Sequence, residues 1–213
     1  MAKPKLSYAG DGAIQKLLKR YGCPTPFHVV RMRFWGEIVS PAQKVSPAKT
    51  IESFWPAGLP TFESADEANA FFQALMGLWN HLAGYHGGSL SLKLTKVGAI
   101  NSREGLHAAA KVRVEELYEG FMRGFTGGQE DLDVPAGAGN LLTRIEKGIE
   151  LLATARNTFG QPPGPEDAGI LAELSGMFPV VDRALNDDLN AIAVAVTRWR
   201  SGRKVKKQKR PID

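Results

Sequence analysis

The sequence predicts an all-α protein, an irregular bundle of seven or eight helices followed by a basic C-terminal tail, on three observations. Apolar residues recur at three- and four-residue spacing along most of the chain. Capping residues such as Ser64 and Ser102 stand just ahead of these stripes, and runs rich in Pro and Gly separate them.

The elements follow in chain order. Asp11 is a candidate N-cap for a short helix to Tyr21 with Ile14, Leu17 and Leu18 on one side, ended by Gly22. A second helix spans about Pro26 to Val39, where Phe27, Val30, Phe34 and Ile38 recur once per turn before Ser40 and Pro41 stop it. Ser46 and Pro47 read as N-cap and first residue of a short helix ending near Trp55 and Pro56. Ser64 and Glu67 form a capping box, in which hydroxyl and carboxylate each satisfy an end N–H, for a helix to about Ala83. Its stripe is Ala68, Phe71, Leu75, Leu78, Trp79 and Leu82.

The run from Ser89 to Leu94 alternates with period two and predicts a short strand, one that would have no obvious strand to pair with. Ser102 then caps a long helix to about Phe125, with Leu106, Ala110, Val114, Leu117, Phe121 and Phe125 inward. Outside it, Lys111 with Glu115 and Glu119 with Arg123 are favourable i,i+4 pairs. Residues 127–139 read as a loop, after which Asn140 caps a helix carrying Leu142, Ile145, Ile149 and Leu152. The Pro-rich break at 160–165 precedes a helix to about Ser175, and a separate last helix spans about Val181 to Arg200. Residues 1–200 are expected to form a single helical domain, with any subdomain break near 95–101, and 201–213 the tail.

Composition narrows the function classes. Cys23 is the sole cysteine, which leaves no disulfide framework or cysteine metal cluster and fits a cytoplasmic protein. The basic opening residues are not followed by the apolar run of a secretory leader, and no apolar stretch approaches the ~20 residues that span a bilayer. The net charge of +5 is local: eight cations against Asp213 lie from Arg198 onward, so the rest of the chain is slightly acidic.

Candidate chemistry is sparse. Gly120 and Gly124 lie one helical turn apart, each costing about 1 kcal/mol against Ala, and mark a place where another element approaches the helix backbone closely. No Gly-Lys-Ser/Thr phosphate loop and no Gly-x-Ser-x-Gly elbow occurs. The acids at Glu115, Glu116, Glu119, Glu130, Asp131, Asp133, Asp187 and Asp188 have no patterned base or metal ligand beside them. Of the histidines His28, His81, His86 and His107, the spacing of His81 and His86 matches helical faces poorly for metal binding. No cofactor or metal is expected. The cations Arg203, Lys204, Lys206, Lys207, Lys209 and Arg210 form the strongest electrostatic feature, a binding element for nucleic acid or an acidic partner, or a solubilising, disordered end.

With these residues in view, the chain resembles the YecA/YgfB-like family of uncharacterised bacterial proteins over most of residues 26–200. The likeness rests on Phe34 to Pro41 with the following Val45 to Trp55, on Ala74 to His81, on the Gly-Phe-x-x-Gly string from Gly120 to Phe125, and on Ala191 and Ile192 through Trp199 and Arg200. It departs at His28 to Arg31, where the family has Gly-Phe-Leu, and at the end, where a basic tail replaces the cysteine-rich metal-binding module of some members. The resemblance implies an all-α fold and a role exerted through protein partners. The sequence therefore leads to a non-catalytic interaction or regulatory protein that binds another protein in a groove between helices, with nucleic-acid binding through the tail as the alternative. An enzyme whose site assembles only in space stays open, and the oligomeric state is not set by the sequence.

Overall fold

Once-per-turn apolar stripes must be covered, and with no strand among the described residues they are covered by packing helix on helix. The computed structural model describes residues 7–42, 46–85, 91–129, 132–165 and 167–208, with side chains described as far as residue 202. Its elements are α1 (Asp11–Arg20), α2 (Phe27–Val39), α3 (Pro47–Ser53), α4 (Ala65–Ala83), α5 (Arg103–Val114), a π-helical segment (Glu115–Met122), α6 (Arg123–Thr126), α7 (Ala136–Gly160) and α8 (Asp167–Gln208). Helix α5, the π segment and α6 run on without a break. Among the described residues there is no strand, and no helix is long and apolar enough to cross a membrane.

Helix α2 is the hub. It lies along the π segment and α6 on one side and meets α1, α3, α4 and α8 on others, while α5, α7 and α8 pack together as a second layer. Around α2 the core is aromatic: Phe34 meets Phe54 edge-on with ring centroids 5.3 Å apart, and Phe71 meets Tyr21 at 5.0 Å. In the second layer it is mainly aliphatic, with Leu106, Ile145, Leu152, Leu185, Leu189, Ile192 and Val196 buried beside Phe159 and Phe178. Each such side chain contributes about 1.5–3 kcal/mol of transfer free energy.

Local signals act as their chemistry demands at three helix starts. The hydroxyls of Ser46, Ser64 and Ser102 accept the N–H of Lys49, Glu67 and Gly105, respectively. The Glu67 carboxylate departs from the expected box: it accepts from the Glu63 N–H at 2.7 Å, outside the helix, and from the Tyr21 hydroxyl at 2.7 Å. That tie joins α1 to the entry of α4. Gly22, in the left-handed region at φ 58°, lets the chain turn away after α1.

Four expectations are corrected. Asp11 is the first residue of α1 and not its cap; Gly10 holds the N-cap position, at φ 93°, with no side-chain bond to the helix end. Residues 91–94 of the predicted strand are extended but form no sheet, and Ser89 and Leu90 lie outside the described residues. Side-chain amides of α8 serve in place of a neighbouring strand: Asn190 accepts the Leu92 N–H at 2.8 Å and donates to the Leu92 carbonyl at 3.0 Å, and Asn186 accepts the Leu94 N–H at 3.0 Å. Helix α7 begins at Ala136 instead of beyond Asn140, because Ala138 is buried in the core and its packing overrides the weak helix preference of the flanking glycines. The two C-terminal helices are one. Pro179 sits inside α8, and the buried residues Phe178, Leu185 and Leu189 continue a single seam across it, so packing outweighs the hydrogen bond a proline removes.

Candidate functional site

Three glycines set the geometry of the site. A Cβ on Gly124 would strike the Arg33 carbonyl, one on Gly120 would lie 2.7 Å from the Met32 Cβ, and one on Gly36 would strike the Phe121 carbonyl. The missing side chains bring α2 against the π segment and α6 nearly backbone to backbone, at the place where the helix widens to its π turn. Polar bonds fasten the crossing: Arg33 Nε donates to the Glu119 carbonyl at 2.8 Å, and the buried Ser40 hydroxyl donates to the Phe125 carbonyl.

Near one end of this crossing lies a closed lattice of charge. Glu116, fully buried, receives Arg113 and Arg31, the latter at 2.9 Å, together with the Thr95 N–H at 3.0 Å and hydroxyl at 2.8 Å. Arg113 is also buried; it donates to Asp182 of α8 at 2.6 Å and to the Thr95 carbonyl at 3.0 Å. Arg31 reaches the Lys93 carbonyl at 2.8 Å. The lattice thus holds the extended residues 93–95 against α2, the π segment and α8, each guanidinium meeting a carboxylate and a carbonyl, while the buried Arg31 Nε has no partner among the described residues.

Near the other end the charges face open space. A cleft of about 790 Å³ is walled by the C-terminal half of α2, by α3, and by α6 with residues 127–129. Lining it are Arg33, Glu37, Lys49, Thr50, Arg123 and Gln129. The backbone turns out of α6 at Gly127 and Gly128, φ 57° and 76°, which shapes that wall. Glu37 accepts a hydrogen bond from the Thr50 hydroxyl, and burial pushes its carboxyl above the ordinary carboxylate range against the opposing pull of Thr50 and Arg33. Burial likewise lowers the Arg33 guanidinium, helped by the like charge of Arg123. Arg123 is 57% exposed and meets Glu119 at 2.9 Å. Among the described residues Lys49 has no ion-pair partner.

The far end of α8 reaches the same wall. Arg200 donates to the carbonyls of Ile38, at 3.1 Å, and of Ser40, satisfying the end of α2 where it borders the cleft.

Of the residues singled out by sequence, Gly120 and Gly124 lie at the crossing, and Gly124 also lines the cleft. The side chains of Arg203, Lys204, Lys206 and Lys207, and the whole of Lys209 and Arg210, lie outside the described residues, as do Glu130, Asp131 and His86. His28 pairs with Glu115 at 3.0 Å, His81 stacks on Tyr8 with centroids 4.2 Å apart, and His107 Nδ1 lies 2.9 Å from the Arg156 carbonyl. Among the described residues no group of His, Cys, Asp and Glu is placed to hold a metal ion. Sequence reasoning passed over Gly36, Arg33, Glu37 and Lys49. Gly36 stands inside the apolar stripe of Val29, Met32 and Val39, and Arg33 and Glu37 are one turn apart beside it, so a glycine in an apolar stripe next to a polar pair was the available signal. No family model, curated relative or solved structure matches this chain.

Proposed function

We propose that this chain is a non-catalytic protein-binding module that seats part of a partner in the cleft between α2, α3 and α6. The cleft itself carries the reading: an open hollow of about 790 Å³ whose polar side chains project from helices locked by the glycine crossing. A rigid frame lowers the ordering cost of association, and exposed donors on its rim give orientation. The resemblance of residues 26–200 to a family thought to act through protein partners points the same way.

The test is capture. Immobilised wild-type chain is expected to retain a partner at about one-to-one from lysate of its source cells, and a Lys49→Glu/Arg123→Glu variant to lose it. Both residues are exposed, so the variant is expected to keep the fold. Equal capture by the two forms, or by neither, refutes the reading.

The cationic run from Arg203 to Arg210 favours a second reading, a nucleic-acid-binding protein using its C-terminal end. If that is the activity, deleting residues 203–213 abolishes binding of DNA or RNA at low salt; full retention by the truncated chain ends it.

A further inference from the structure

Among the described lining residues, the charges of the cleft do not balance. Arg33, Lys49 and Arg123 line it with Glu37 as the only carboxylate among its described lining residues. Glu37 is turned to the Thr50 hydroxyl, and this one carboxylate stands against three cations in the lining. Glu119 engages the Arg123 side chain, yet on an exposed surface such a pair contributes little and exchanges readily for a competing carboxylate. Arg33 spends Nε and Nη2 on the Glu119 carbonyl, which leaves its Nη1 edge without a partner among the described residues. Lys49 presents three donors to solvent from the first turn of α3.

We infer that the partner segment held in this cleft is acidic, a short run of Asp or Glu side chains whose carboxylates meet Lys49, Arg123 and the open edge of Arg33. The inference rests on the proposed docking role of the cleft and names the chemistry of the occupant. A peptide suits the site better than a nucleic acid, because none of the described lining residues is aromatic and bases have nothing to stack on. The lining also offers Ser46, Ser53, Thr126 and Gln129, whose hydroxyl oxygens and amide can bond a peptide backbone. The body of the chain is slightly acidic overall, so this cationic hollow is a local exception able to orient an acidic segment on approach.

Fluorescence anisotropy with three labelled probes tests the inference: octaglutamate, octaglutamine and a twelve-residue oligothymidylate, at about 50 mM salt, where screening is modest. Octaglutamate is expected to bind the full chain and octaglutamine not to bind. Binding of octaglutamate should fall about tenfold or more in Lys49→Glu/Arg123→Glu and survive in Lys49→Arg/Arg123→Lys, which keeps the charges. Three results overturn it: octaglutamate binding equally to wild type and the charge-reversed variant, tighter and cleft-dependent binding of the oligonucleotide, or loss of octaglutamate binding only when residues 203–213 are deleted. Failure here with cleft-dependent capture of a partner intact removes the acidic occupant alone; failure of both removes the docking role as well.

Discussion

Arg113 and Arg123 stand on one continuous helix and face opposite fates. Arg113 is 1% exposed and spends its donors on Glu116, Asp182 and the Thr95 carbonyl; Arg123 is 57% exposed and meets one flexible carboxylate beside an open cleft. Both neighbour α2, the first through Arg31 and the second through Arg33. The difference teaches that charge type says little about role in this fold. Closure does: where the extended residues 93–95 complete the shell, charges fix structure, and along the cleft no element among the described residues seals them.

That contrast can be broken from the structural side first. Glu116→Ala would leave Arg113 and Arg31 buried without their shared carboxylate and should cost about 3–5 kcal/mol in denaturant unfolding. A loss below about 1 kcal/mol would mean that the lattice is wet and no different from the cleft. Next in size is the crossing between the two regions. Gly124→Ala must push a methyl group into the Arg33 carbonyl and should cost about 1–3 kcal/mol, with α2 displaced and the cleft reshaped. A thermal midpoint matching the wild type would show that the crossing is loose.

The smallest expected effect sharpens the open side. The Glu37 carboxyl is raised in the folded chain, so the native state binds its proton more readily than the unfolded state. Its contribution is therefore favourable at low pH and is lost as pH rises out of the ordinary carboxylate range through the raised value. Glu37→Gln keeps an acceptor for Thr50 and removes this dependence. Thermal melts of wild type and variant should converge at acidic pH and separate above it, the variant then being the more stable. A constant difference across that window would show that Glu37 is ionised without penalty.

How much was legible varied along the chain. The stripes Leu106, Ala110, Val114, Leu117, Phe121 and Phe125 were readable because burial on a helix forces one apolar residue per turn, and all six are buried. The period-two run at 89–94 misled, because alternation reports that one side is buried and cannot report what bonds the backbone. Asn186 and Asn190, roughly ninety residues away in sequence, supply those bonds. The cleft was less legible still. Arg33, Lys49 and Arg123 are unremarkable surface residues in sequence, and only the docking of α2 on α6, with α3 alongside, brings them to one hollow.

By itself the sequence determined the helical class, most helix starts, the greasy faces and the places where backbone had to come close, since these follow from interactions within a few turns of the chain. Tertiary structure alone decided that Pro179 lies within a single helix, that amide side chains stand in for a strand, and that some charges are sealed while others are left open. The physical reason is distance: burial and electrostatic pairing between segments depend on which surfaces are covered, and that is settled by the whole chain at once.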